Sequence, residues 1–147
     1  MGGKVLSAVL TVLLLGVALP RAAADPKEEA VKNELKALEG TWDARARRVD
    51  GKDEPPPPGG LQLILSGAKY TVKVGGKVKE SGSFVVDPGK TPKTIDLKTE
   101  DGKPKDFGIY ELKGDELKFA FRSFGKDRPT DFLDKGTEVY VWKKAKQ

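Results

Sequence analysis

Any chemistry in this chain would have to use carboxylates, Lys, Tyr, Ser or Thr. Among its 147 residues there is no His and no Cys. That removes the imidazole base, Ser–His and Cys–His pairs, thiolate zinc sites and iron–sulfur clusters. Asp87, Asp96, Asp106, Glu111, Asp115, Asp131 and Asp134 could include an acid/base pair of the glycosidase kind. Most stand in turn sequences, where Asp is expected for local hydrogen bonding, and no EF-hand spacing appears. The expectation is a non-enzymatic protein with no catalytic residue, metal or cofactor.

Three other groupings could bind a partner. Arg45, Arg47 and Arg48 form a basic cluster that could take an anionic polysaccharide, a lipid head group or a carboxylate, but Asp43, Asp50 and Asp53 lie beside it, as on a solvated face. Lys118, Phe119, Phe121 and Arg122 superficially resemble a base-stacking strand. Two of the 27 bases and none of the 22 acids fall in residues 1–24, leaving a body of net charge only +3, a poor match to nucleic acid. Pro55-Pro56-Pro57-Pro58 could dock in an aromatic groove, or be a constrained loop in which helix and central strand are both excluded.

The elements that must position these residues begin after a leader. Lys4 is followed by the apolar stretch Val5–Leu19, then Pro20 and Ala22-Ala23-Ala24. This has the form of a signal peptide over residues 1–24, cleaved near Ala24, and is shorter than the ~20 residues a membrane span needs. The expected product is secreted, periplasmic or held at the cell envelope, with no stable membrane insertion after cleavage. Asp25-Pro26 opens a helix over 25–39, Val31, Leu35 and Leu38 form its apolar stripe, and Gly40 terminates it. From Thr41 the period changes to two. Eight candidate strands follow, around Trp42–Ala46, Leu61–Leu65, Tyr70–Val74, Val78–Val86, Ile95–Leu97, Phe107–Leu112, Leu117–Phe121 and Val139–Trp142. Their short connections require antiparallel neighbours. The expected fold is mainly β: one domain over 25–147, an eight-stranded up-and-down barrel over 41–143 behind one N-terminal helix. A two-sheet sandwich is the structural alternative.

Leu38-Glu39-Gly40-Thr41-Trp42 has the L-x-G-T-W form that leads into the first strand of lipocalin-like barrels. Asp50-Gly51-Lys52, Pro92–Leu97, Gly108–Leu112 with Lys113–Leu117, and Arg128-Pro129-Thr130-Asp131-Phe132 follow in order. The set resembles a small secreted lipocalin-like domain family of planctomycete bacteria that has no established activity. Trp42 could line the floor of a ligand cavity; the resemblance implies instead that it plugs the closed barrel end under the helix, with Arg128 or Arg122 stacked on it. It also implies that the first inter-strand loop, here the proline run, lies over the mouth. Alternation makes Tyr70, Val72, Phe84, Phe107, Ile109, Leu117, Phe119 and Phe121 candidates for the interior, with Ala44, Ala46 and Gly82 leaving space. They either line a pocket for a small apolar or amphipathic ligand or fill the barrel solid. In the second case the protein is an envelope interaction domain using loop 50–60 and the first-strand arginines.

Overall fold

A computed structural model describes residues 16, 25–122 and 127–146. The leader expected over 1–24 therefore lies outside the described residues, Gly16 aside. Among the described residues no helix is long and apolar enough to cross a membrane.

The capping chemistry sets α1 (Pro26–Leu38). The Asp25 carboxylate accepts from the Lys27 N–H at 2.9 Å, Pro26 fits the first turn, and Glu28 and Glu29 favour the positive end of the dipole. Glu39 is the C-cap. Gly40 instead opens the first strand at φ +137°, and a Cβ there would sit 2.9 Å from Lys144 Cε. Its lack of a side chain serves the turn and the close approach of Lys144 together.

The strands are β1 (Gly40–Val49), β2 (Lys52–Glu54), β3 (Leu61–Ser66), β4 (Lys69–Val74), β5 (Lys77–Asp87), β6 (Lys93–Thr99), β7 (Pro104–Lys113), β8 (Glu116–Arg122) and β9 (Thr137–Lys144). All neighbours are antiparallel, and β1 pairs with both β3 and β9. β1 and β3–β9 thus close an eight-stranded up-and-down barrel. The additional strand β2 folds back on the end of β1, with Arg47 opposite Glu54.

Three bulges decide which side chains face inward. Ala44 pairs with Trp142 but Ala46 with Val141, so Arg45 is an extra residue. Lys79 is extra between the pairs Val72–Glu80 and Lys73–Val78, and Lys105 between Leu97–Asp106 and Lys98–Pro104. Each bulge resets the alternation. Trp42 and Ala44 point in, but Ala46 then sits on the outer face against Val139 and Val141, and Arg47 comes to the mouth beside Glu138 and Tyr140. Val78 likewise ends outside, 59% exposed, while Glu80 lines the interior.

The helix end of the barrel is solid. Trp42 and Leu38 are fully buried, and the Trp42 indole N–H donates to the Leu38 carbonyl at 2.8 Å. Val31 and Leu35 pack onto the same cluster. Glu34 fixes the helix to the barrel, accepting from Tyr110 Oη at 2.9 Å and Lys93 Nζ at 2.8 Å. Lys144, not Arg128 or Arg122, covers the Trp42 ring, its Nζ 5.3 Å from the centroid. Arg128 lies on the outer face of β6 and β7. It stacks on Phe107, pairs with Asp96 at 2.6 Å and donates to the Gly108 carbonyl at 2.7 Å.

Candidate functional site

At the barrel end away from α1 a cavity of about 280 Å³ opens among the inward side chains. Leu63, Phe84, Ile95 and Phe119 give it an apolar wall, and Glu80, Asp106, Arg122, Glu138 and Tyr140 give it a polar rim. It lies at the lower edge of the usual ligand-pocket size range. Tyr140 stacks on Trp142 at 5.7 Å between centroids, and Phe119 meets Phe121 edge-on at 6.0 Å.

Of the interior candidates, Tyr70, Val72, Phe84, Phe119 and Phe121 line this cavity. Leu117 is fully buried in the core and is not part of the lining. Phe107 and Ile109 face outward. Ile109 forms an outer cluster with Ala120, Val139 and Phe132, and Phe107 lies under Arg128. The reason is that β7 is apolar on both faces. Gly108 and Tyr110 take the inner positions, because a Cβ at 108 would meet the Phe121 ring at 2.5 Å, whereas Tyr110 reaches Glu34. Gly82 leaves no space free either, since a Cβ there would collide with the Lys98 carbonyl oxygen and meet the Tyr70 ring at 3.0 Å.

The rim carboxylates differ in their partners. Glu80 accepts from Tyr70 Oη at 2.6 Å and pairs with Lys105. Burial works to raise the Glu80 carboxyl, but Lys105 and Tyr70 outweigh it and hold it below its usual value. Glu138 accepts from Arg47 Nε at 2.5 Å and from Tyr140. Burial first, and then Glu138, push the Tyr140 hydroxyl up to about 12. Asp106 has no hydrogen-bond or ion-pair partner among the described residues. Burial holds its carboxyl above the usual value; Lys105 opposes this, and Glu80 and Glu138 reinforce it. Arg122 turns to the Lys135 carbonyl at 2.7 Å and to Asp134 at 3.6 Å.

Of the seven acids considered from the sequence, only Asp106 lines the cavity. The first-strand arginines do not act as one patch. Arg45 is exposed at the bulge, Arg48 pairs with Asp53 at 2.8 Å, and Arg47 bridges Glu138 and Glu54. Lys118 lies over Phe132 outside while Phe119 and Phe121 point in, so no base-stacking platform forms. The proline run is irregular, as four missing donors require, and its end is held by the Gly75 N–H on the Gly60 carbonyl at 3.0 Å. None of residues 50–60 lines the cavity; of this segment only Glu54 reaches toward it, through its ion pair with Arg47.

Glu80, Glu138, Tyr140 and Trp142 complete the site without having been singled out from the sequence. Only the two aromatics spaced by two on the last strand offered a signal for them, and Val139 and Val141 compete with that signal for the inner face. No known protein family, characterised protein or solved structure matches the chain.

Proposed function

We propose that this chain is an exported, non-enzymatic binding module that holds one small amphipathic molecule in the mouth of its barrel. The observation that carries the reading is the cavity of about 280 Å³, apolar in its depth and charged at its rim, in a barrel whose other end is sealed by Trp42 and α1. Eight strands enclose room for side chains or for one small ligand, and here the packed aromatics leave room at one end only. The leader-like residues 1–24 support export, and the ordered motifs from Leu38 to Phe132 support kinship with the planctomycete lipocalin-like domains. An envelope domain working through its surface has less support, because Arg47 and Arg48 are tied into ion pairs.

Native mass spectrometry of the protein purified from its own host tests the reading. A noncovalent small-molecule adduct is expected, and it is expected to disappear in Val72→Trp, which fills the cavity from its wall. A bare wild-type mass that also takes up no apolar probe in solution would overturn it.

A further inference from the structure

We propose that the ligand of this cavity carries a positively charged amine that pairs with Asp106, its apolar body lying against Phe84, Phe119 and Trp142. This rests on the cavity being a ligand site, as argued above. The polar groups of the lining separate into satisfied and unsatisfied. Glu80 is met by Tyr70 and Lys105, Glu138 by Arg47 and Tyr140, and the two Nη atoms of Arg122 by the Lys135 carbonyl and Asp134, while the buried Arg122 Nε has no partner among the described residues. Once these pairs are matched, Asp106 is the one lining carboxylate without a partner among the described residues, and the rim is left with one negative charge. Two further groups of the same cavity are also unmatched, the buried Arg122 Nε and the Trp142 indole. Trp142 is 4% exposed, and its indole N–H has no acceptor among the described residues. A buried donor and a carboxylate that both lack partners point to a molecule that brings polar groups of its own.

The sign of the charge follows from the neighbours. An anion would meet three carboxylates, of which one is uncompensated. A neutral ligand would leave Asp106 charged and half-buried. An ammonium group neutralises it through a charge-assisted hydrogen bond. The size of the cavity restricts the rest of the molecule to about one ring with a short chain, since a cavity of roughly 150 Å³ already holds benzene.

Three probes with one tail and different heads test this: 4-phenylbutylamine, 4-phenyl-1-butanol and 4-phenylbutyrate, titrated into the ¹⁵N-labelled protein at pH 7. Affinities come from calorimetry, and location from the two indole N–H signals. Trp142 is expected to shift on binding, while Trp42, bonded to Leu38 beneath the core, stays in place. The amine is expected to bind about tenfold tighter than the alcohol, as one charge-assisted contact allows, and the carboxylate weakest. Asp106→Asn is expected to lower the amine to the alcohol's affinity, and a dispersed ¹⁵N spectrum with both indole signals in place shows that the variant is folded. If the alcohol binds and shifts Trp142 but the amine binds no tighter, the amine proposal fails and the cavity reading stands. A preference for the amine that survives Asp106→Asn also overturns it. If no probe moves the Trp142 signal, both readings fail.

Discussion

Replacing Trp42 with Ala tests the solid end of the barrel most directly. The side chain is fully buried and donates to the Leu38 carbonyl at 2.8 Å, so truncation removes both packing and a hydrogen bond. Losing a buried Trp costs about 3–5 kcal/mol, and leaving the carbonyl unpaired adds about 1 kcal/mol. The expected loss of about 4–6 kcal/mol is a large part of the 5–15 kcal/mol a domain normally has. Trp42→Phe separates the two contributions. It keeps most of the aromatic volume and loses the donor, so about 1–2 kcal/mol is expected. Urea unfolding followed by far-UV circular dichroism measures both, since the mutation removes one of only two Trp fluorophores. A loss below about 1 kcal/mol for Trp42→Ala would refute the view that this indole seals the barrel. Equal losses for Ala and Phe would show that the hydrogen bond, and not the packing, does the sealing.

Leu35→Asp puts a charge where α1 meets the core cluster, and urea melts should show a loss of about 2–3 kcal/mol across the whole body; unchanged stability would make the helix an independent appendage. Gly108→Ala drives a methyl group to within 2.5 Å of the Phe121 ring, so a loss of about 1–3 kcal/mol is expected, recovered in part by adding Phe121→Leu. The pH dependence of Asp106→Asn follows from a carboxyl held above its ordinary 3.8. Such a group favours folding below its unfolded value, and that contribution is lost as pH rises through the folded value. The variant should therefore melt higher than wild type at pH 7, with the difference closing below about pH 3.8; a variant that melts lower at pH 7 contradicts the assigned direction.

The strands could be read from the sequence because turn signals punctuate them and because one face of each is apolar. Leu61, Leu63 and Leu65 alternate without interruption, and all three belong to the core. The helix was legible from Asp25-Pro26 and its stripe for the same reason: local capping chemistry and periodicity specify it without help from distant residues. The candidate site was less legible, for two physical reasons. Period two fixes a face only where the opposite face is polar, and Phe107–Tyr110 is apolar on both sides because the Arg128–Phe132 segment covers the outside. A bulge, moreover, leaves no mark on composition. Arg45, Lys79 and Lys105 look like ordinary strand residues, yet they decide that Arg47, Glu80 and Asp106 reach the mouth. The cover of Trp42 was misassigned because contacts between distant segments, here Gly40 and Lys144, depend on barrel closure.

Those same three surplus residues have a consequence for how the chain can vary in length. On either side of each one the partner assignments resume unchanged, Ala44 with Trp142 and Ala46 with Val141 being the clearest case. Losing Arg45 would tighten the ladder without turning any other side chain around. A lineage could thus shed a single codon at any of these three points while handing down the same interior, whereas a codon lost at Leu63, where the pairing is regular, would turn half a strand inside out.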